Sequence, residues 1–106
     1  MEAPIFSVLI ANYNNGQYLM EAIDSVINQT YSKWEVIIVD DGSTDCSAEL
    51  YKSWSNDERF HIFYNEINRG CAYTKHQCVL RAHGEYCGFL DPDDVLLPNA
   101  IECSVN

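Results

Sequence analysis

The feature that most constrains this chain is the alternation of apolar, β-branched runs with segments whose apolar residues recur at helical spacing. Four short apolar runs predict strands, at residues 5–11, 34–39, 60–64 and 86–90. Three amphipathic segments predict helices between them, at residues 18–27, from about 45 to 54, and at 71–83. This order predicts an α/β fold: a Rossmann-like, mostly parallel four-stranded sheet covered by helices.

Residues with strong capping preferences set the expected helix boundaries. Asp45 is a good N-cap residue, so the second helix is expected to start close to it. Gly84 stands where a C-terminal capping glycine would end the third helix. Pro98 favours the first turn of one further helix.

The chain is strongly acidic. Sixteen acidic and six basic residues give it a formal net charge of -10. This balance excludes a nucleic-acid surface, because such a surface needs basic residues to replace counterions. Two interpretations of the charge stay open at this point. It serves solubility alone, or the protein binds a phosphate ester with the help of a divalent cation.

Cysteine usage and hydropathy bear on the compartment. The chain has five cysteines and no C-x-x-C pair, which argues against a zinc cluster or a disulfide framework. We expect them to be buried small hydrophobic residues in a reducing compartment. No run approaches the roughly 20 apolar residues of a membrane span, and residues 1–4 lack the basic start of a signal peptide. A soluble, cytoplasmic protein is expected.

Polar residues follow three of the four predicted strands where each strand ends. They are residues 12–14, Asp40 with Asp41, and Asp91 with Asp93 and Asp94. Parallel strands bring their carboxyl ends to one edge of the sheet, where ligands of such folds bind. Carboxylates gathered at one edge repel one another. Mg²⁺ or Mn²⁺ would neutralise them, since both ions prefer oxygen ligands.

Aspartates near strand ends can also cap helices or face solvent. Asp45 and Asp94 each lie where a helix could begin, so we interpret both as capping residues. For the other strand-end acids we favour a ligand-binding role, because capping does not need so many acids at one edge.

Several short segments form an ordered series along the chain. They include Asn12-Tyr13-Asn14, Asp40-Asp41-Gly42-Ser43-Thr44-Asp45, Asn68-Arg69-Gly70, Gly84-Glu85-Tyr86 and Leu90-Asp91-Pro92-Asp93-Asp94. Each segment is weak alone, but the series is specific and covers nearly the whole chain. It resembles the opening of a family 2 glycosyltransferase with the GT-A fold. The resemblance implies that residues 1–106 are the nucleotide-sugar-binding part of such a domain, truncated at its C-terminus.

The resemblance also implies roles for individual residues. Tyr13 would stack on the base of a nucleotide-sugar donor, expected to be a UDP-sugar, Asp41 would accept a hydrogen bond from that base, and Asp40 would support the pocket. Asp91-Pro92-Asp93 is similar to the D-x-D motif of the family. In that motif Asp93 would ligate the Mg²⁺ or Mn²⁺ that bridges the diphosphate, and Asp91 would face the ribose or the metal.

The chain departs from the family pattern in three respects. Ala11, which the resemblance also assigns to the donor site, stands where many members have a threonine or proline. Lys75 and His76 replace a common Arg-Asn pair; Lys75 could still supply charge to the phosphates, and we interpret His76 as a surface residue. Family members carry an acidic general base further along their chains, and the 106 residues of this chain offer no candidate for it, so the catalytic residue is unknown.

The function that the resemblance implies is inverting transfer of a sugar to an acceptor hydroxyl, as in polysaccharide biosynthesis. This chain would supply the donor and metal site, and the acceptor would be a saccharide or a lipid-linked saccharide. Two alternatives stay open: a non-catalytic nucleotide-sugar-binding domain, and a receiver-like signalling module, which also gathers aspartates at strand ends. We expect no nucleic-acid partner under any of these three interpretations. The full protein could associate peripherally with a membrane.

Overall fold

The computed structural model describes residues 4–105. The expectation that the chain does not start with a signal peptide rests on residues 1–4, of which residues 1–3 lie outside the described range. Strands and helices alternate in chain order: β1 (Phe6–Asn12), α1 (Gly16–Ile27), β2 (Trp34–Asp40), α2 (Ser47–Lys52), β3 (Phe60–Tyr64), α3 (Cys71–Arg81), β4 (Tyr86–Phe89) and α4 (Ala100–Val105). The α/β alternation expected from the sequence is confirmed. Among the described residues, no helix combines the length and apolar character that crossing a membrane requires.

All four strands are parallel and lie in the order β3-β2-β1-β4. Asn12 at the end of β1 pairs with Asp40 at the end of β2, so the two strands end side by side. From β1 the chain adds β2 and β3 on one side and then returns to the other side of β1 for β4. This reversal leaves a crevice beyond the carboxyl ends of β1 and β4, which is where open α/β sheets bind ligands.

Helices cover both faces of the sheet. On one face, Val8 and Ile10 of β1 pack with apolar residues of α1, α2 and α4. On the other face, Leu9 and Ile37 pack with Cys78 of α3. Since β2 is buried along its whole length, its residues 36–39 form a continuous apolar run rather than an alternating one.

Helix α2 begins at Ser47, two residues after Asp45, because the Asp45 side chain satisfies the first amide of that helix. Its Oδ1 accepts hydrogen bonds from the Ser47 amide at 3.0 Å and from Ser47 Oγ at 2.6 Å. Its Oδ2 accepts one from the amide of Gly16, the first residue of α1, at 2.9 Å. Asp45 thus supports the starts of two helices, although Cys46 takes the N-cap position of α2.

The cysteines depart from the expected burial. Cys78 is fully buried, but the other four are exposed: Cys46, Cys71, Cys87 and Cys103. The expectation of burial is wrong for these four cysteines. For three of them, the position in the fold explains the exposure. Cys46 and Cys71 lie at helix starts, and Cys87 lies on β4, at the end of the strand order.

Gly84 does not cap α3, so that prediction is also wrong. The helix ends at Arg81, and its C-cap residue Ala82 is already extended. Gly84 instead lies against β1, where its amide donates a hydrogen bond to Ser7 Oγ at 2.9 Å. A Cβ at this position would lie 2.8 Å from both Ile5 O and Ser7 Oγ. Close approach of two backbones, rather than a left-handed conformation, therefore requires glycine here.

Replacing Gly84 with alanine is expected to lower the free energy of unfolding by about 1.5 kcal/mol, because the added methyl group overpacks the contact with β1. Urea denaturation measures the change. Ala72→Ser adds one heavy atom at an exposed position of α3 and is the control, with an expected change within about 0.5 kcal/mol. Equal midpoints for the two variants would show that the segment around residue 84 shifts without cost.

Candidate functional site

An open cleft of about 460 Å³ lies at the reversal of strand order. Five of the residues to which the sequence analysis gave a donor or metal role lie on its wall: Ala11, Tyr13, Asp41, Asp91 and Asp93. Its volume falls in the range of small-molecule sites. The carboxyl ends of β1, β2 and β4 therefore bring these side chains together, although the chain separates them widely.

Asp41 is held on the cleft wall by donors from the segment between β3 and α3. Its Oδ1 accepts hydrogen bonds from the Arg69 amide at 2.6 Å and from Asn65 Nδ2 at 2.9 Å, and its Oδ2 accepts one from the Gly70 amide at 3.0 Å. Burial by itself would raise the pKa of Asp41. The hydrogen bonds outweigh burial and hold the pKa below its ordinary value, so the side chain is a fixed carboxylate at neutral pH.

A buried polar network lies behind the cleft wall. Asn12 Nδ2 donates to Ser47 Oγ at 2.9 Å and to Tyr51 Oη at 2.8 Å, and the Tyr51 hydroxyl donates to Asp40 Oδ1 at 2.5 Å. Burial, reinforced by the hydrogen bond to Asp40, raises the pKa of Tyr51, so its hydroxyl stays a proton donor. Asp40 is only 4% exposed. It therefore lies behind the wall rather than on it.

Asn12 connects this network to the cleft. The residue lines the cleft, and its Oδ1 is buried without a hydrogen-bond partner among the described residues. Buried polar atoms nearly always have a partner, from the protein or from outside it. A hydrogen-bond donor from a ligand or a water molecule would satisfy the unpaired Oδ1 atom of Asn12.

The loop after β1, which carries Tyr13, is tied to the loop after β2. The Ser43 amide donates to Asp40 Oδ2 at 2.8 Å, and Ser43 Oγ accepts from the Asn14 amide at 2.9 Å. Asn14 Oδ1 then accepts from the Thr44 amide at 2.7 Å. These bonds hold the Tyr13 side chain, which is 48% exposed, at the mouth of the cleft.

Asp91, Asp93 and Asp94 form a cluster of exposed carboxylates that adjoins the cleft. Each offers one carboxylate oxygen, and the three oxygens lie within 4.8 Å of one another. A hydrogen bond from the Asp94 amide to Asp91 O, 2.9 Å long, closes the turn that gathers them. The capping role expected for Asp94 is wrong, because the next helix begins only at Ala100. Oxygen donors of this kind suit Mg²⁺ or Mn²⁺.

Lys75 lies beside the cleft. Its Nζ is 3.9 Å from Asp91 Oδ1 and 5.3 Å from the centre of the Phe89 ring. An exposed pair of this kind adds little to stability, but it keeps a positive charge next to the carboxylate cluster. His76, expected at the surface, is exposed.

Part of the cleft wall was assigned no site role from the sequence, although Asn68 and Gly70 stand in one of the segments that carry the family resemblance. Asn68, Gly70, Cys71 and Thr74 all line the cleft. Thr74 is fully buried; its Oγ1 donates to Gly70 O at 2.8 Å and accepts from Asn65 Nδ2 at 3.0 Å. A threonine in the first turn of a helix carries no signal of such a role. Gly70 has a positive φ of 92°, a backbone conformation that favours glycine.

The reversal of strand order, with a cleft at that point, defines an α/β protein of the doubly wound class. The chain matches the family model Glycosyl transferase family 2 over residues 7–106. It belongs to that family, so the resemblance found in the sequence is confirmed and the receiver-like interpretation is set aside.

Individual relatives agree with this assignment. TuaG of Bacillus subtilis (strain 168), a glycosyltransferase named for teichuronic acid biosynthesis, is 40% identical over 92 residues, which cover 86% of this chain and 36% of TuaG. The crystal structure of S. aureus TarS 1–349 with UDP-GlcNAc matches with a TM-score of 0.89 and 27% identity, covering 95% of this chain and 30% of that one. The mannosyltransferase PcManGT of Pyrobaculum calidifontis, in complex with GDP-Man and Mn²⁺, matches with a TM-score of 0.79 and 25% identity. The match covers 89% of this chain and 29% of the PcManGT chain. The GT-A fold is thus confirmed, and the chain spans about a third of the length of these proteins.

Proposed function

We propose that the cleft binds a nucleotide-diphospho-sugar, with a UDP-sugar as the donor, and that the full protein transfers the sugar with inversion to an acceptor hydroxyl. The observation that carries the proposal is the composition of one cleft wall. An exposed aromatic ring at Tyr13, a fixed carboxylate at Asp41 and the acid pair Asp91 and Asp93 all border the same space. TarS with UDP-GlcNAc and PcManGT with GDP-Man, both matched in fold, support a donor of this class.

The base would lie between Tyr13 and Asp41. Stacking on an aromatic ring contributes about 1–3 kcal/mol per base without distinguishing one base from another. Asp41 would add the distinction, because a carboxylate can accept a hydrogen bond from the ring N–H of uracil. We assign that contact to Asp41 Oδ2, which accepts one hydrogen bond from the protein while Oδ1 accepts two. Asp40 would support this pocket from behind, through Ser43 and Tyr51.

The diphosphate would lie toward the carboxylate cluster. Asp93 and Asp91 would hold Mg²⁺ or Mn²⁺, a choice supported by the hard oxygen donors that converge there. The bound ion would neutralise the charge that develops on the diphosphate leaving group. Lys75, beside Asp91, would add positive charge, and Ala11 would border the nucleotide without offering a polar side chain.

The acceptor and setting of the full protein are extensions of the same proposal. A saccharide or lipid-linked saccharide is the acceptor that fits a family with a member named for teichuronic acid biosynthesis. The reaction would take place in the cytoplasm, where nucleotide-sugars would reach an open cleft.

Binding of UDP is expected to depend on the metal through Asp93. In Mn²⁺ we expect UDP to bind at least about tenfold more tightly than in EDTA, because the cation offsets repulsion between the diphosphate and the carboxylates. Asp93→Asn should remove this dependence. Asp24→Asn, which neutralises an exposed acid on α1, is the matched control and should bind as the unmodified chain does. Isothermal titration calorimetry measures UDP binding to the three proteins, each in Mn²⁺ and in EDTA.

Two outcomes would contradict parts of the proposal separately. UDP affinity that is the same in Mn²⁺ and EDTA, and unchanged in Asp93→Asn, would overturn the metal assignment. Sugar transfer is tested on the full natural protein. Donor binding there without release of UDP in the presence of saccharide acceptors would favour a non-catalytic binding domain.

A further inference from the structure

A second group of ligand-type side chains lies at the opposite end of the sheet from the cleft. Glu35 is near the start of β2, His61 near the start of β3, and His83 between α3 and β4. Along β2 this group is about 20 Å from Asp41, at a rise of about 3.3 Å per residue. The donor site makes no use of these three side chains.

Three ligand-type atoms converge here at distances close to those of a cation site. His83 Nδ1 lies 2.9 Å and His61 Nε2 3.3 Å from the same oxygen, Glu35 Oε1. All three atoms lie within 4.8 Å of one another, and the two imidazole rings have centres 5.6 Å apart. A tetrahedral ion with bonds of about 2.0–2.2 Å needs ligand atoms separated by about 3.3–3.5 Å. Small side-chain rotations would therefore bring the three atoms to coordination distance.

The carboxylate is already oriented for this role. Its other oxygen, Oε2, accepts hydrogen bonds from Ser7 Oγ and from the His83 amide, both at 2.6 Å. Burial alone would raise the pKa of Glu35, but these bonds, with those from the His83 side chain, outweigh it and lower the pKa. Hydrogen bonds that fix a ligating carboxylate in this way are typical support for a metal ion.

One side of the group is open to water. The Glu35 side chain is 1% exposed, whereas that of His61 is 30% exposed and that of His83 is 64% exposed. An ion bound between them would have protein on the Glu35 side and room for a water molecule on the histidine side. Imidazole ligands favour zinc, unlike the all-oxygen cluster at Asp91 and Asp93.

We infer that Glu35, His61 and His83 form a Zn²⁺ site with three protein ligands and one water. Each histidine would coordinate through the nitrogen that now faces Glu35 and carry its proton on the other ring nitrogen. The ion would replace the two contacts at Oε1 and join β2, β3 and the α3–β4 connection. It would stabilise the fold at the end remote from the donor cleft, independently of donor binding.

The test uses the chain with its four exposed cysteines changed to serine, since thiolates also bind zinc. We expect one equivalent of Zn²⁺ to bind in calorimetry and to raise Tm by about 10 °C at saturation. His61→Asn and His83→Asn should each weaken binding at least about tenfold. His76→Asn replaces the remaining histidine, exposed on α3, and should leave the affinity unchanged. Loss of binding in His76→Asn alone, or equal binding in all variants, would overturn the inference.

A spectroscopic measurement on the unmodified chain does not depend on how the variants fold. X-ray absorption at one equivalent of Zn²⁺ should show nitrogen and oxygen neighbours at about 2.0–2.1 Å with the multiple scattering of imidazole. A sulfur shell at about 2.3 Å, or an oxygen-only shell, would assign the ion to cysteines or to the aspartate cluster and overturn the site.

Discussion

Replacing Asp41 with asparagine is expected to lower the free energy of unfolding by about 3 kcal/mol. Both oxygens of Asp41 accept hydrogen bonds from backbone amides, Oδ1 from Arg69 and Oδ2 from Gly70. A side-chain amide of the same shape must turn its NH₂ group toward one of these N–H groups, which leaves a part-buried donor without its partner. Urea denaturation of the variant measures the loss, and Asp24→Asn, at an exposed site, should change stability by less than about 0.5 kcal/mol.

The same substitution should change which nucleotide binds. A carboxylate accepts from N3–H of uracil but repels the unprotonated N3 of cytosine, so the unmodified chain should prefer UDP to CDP by at least about tenfold. In Asp41→Asn we expect weaker UDP binding and the loss of that preference. If the variant folds and keeps the full preference, then Asp41 supports the loop but does not contact the base.

The pH dependence of stability follows from the lowered pKa of Asp41. A carboxyl group whose pKa is lower in the folded chain contributes stability that is present above its unfolded pKa of about 3.9. This contribution is lost as the pH falls through the folded pKa. The difference in stability between the unmodified chain and Asp41→Asn should therefore be largest near neutral pH and should shrink below about pH 4.

The sequence predicts the position of the site better than its supports. Asp91 and Asp93 could be assigned to one edge with Asp41, because parallel strands must end at the same edge of a sheet. The donors to Asp41 could not be predicted, since two of them are backbone amides, of Arg69 and Gly70. Their direction depends on loop conformation, about which hydrophobic periodicity carries no information.

The failed expectations have a related cause. Gly84 and Asp94 have residue types that are frequent at helix ends, but local preference does not reveal a close approach to β1 or a turn that gathers carboxylates. Glu35 lies within a run that was correctly predicted as a strand. Its contacts with His61 and His83 arise only when the sheet is assembled. Contacts between distant segments, rather than the elements themselves, are what the sequence leaves open.

Removing one hydroxyl group from Tyr51 is expected to affect both stability and donor binding, although the residue does not line the cleft. Tyr51 is 3% exposed, and its hydroxyl donates to Asp40 Oδ1 while accepting from Asn12 Nδ2. In Tyr51→Phe the buried carboxylate of Asp40 loses its shortest hydrogen bond. Since hydrogen bonds to charged groups contribute about 1.5–3 kcal/mol, we expect a loss of about 2.5 kcal/mol in the free energy of unfolding.

The effect on donor binding would pass through Asp40. Its other oxygen holds the Ser43 amide, and Ser43 in turn holds the loop that carries Tyr13. Without the hydrogen bond from Tyr51, the Asp40 carboxylate would hold Ser43, and through it the Tyr13 loop, less firmly. We therefore expect UDP to bind Tyr51→Phe several-fold more weakly in calorimetry. Tyr64→Phe is the control, because Tyr64 contacts the Tyr51 ring but is 61% exposed. A stability loss in Tyr51→Phe with unchanged UDP affinity would show that the network supports the core alone, and that Asp40 does not help to form the donor site.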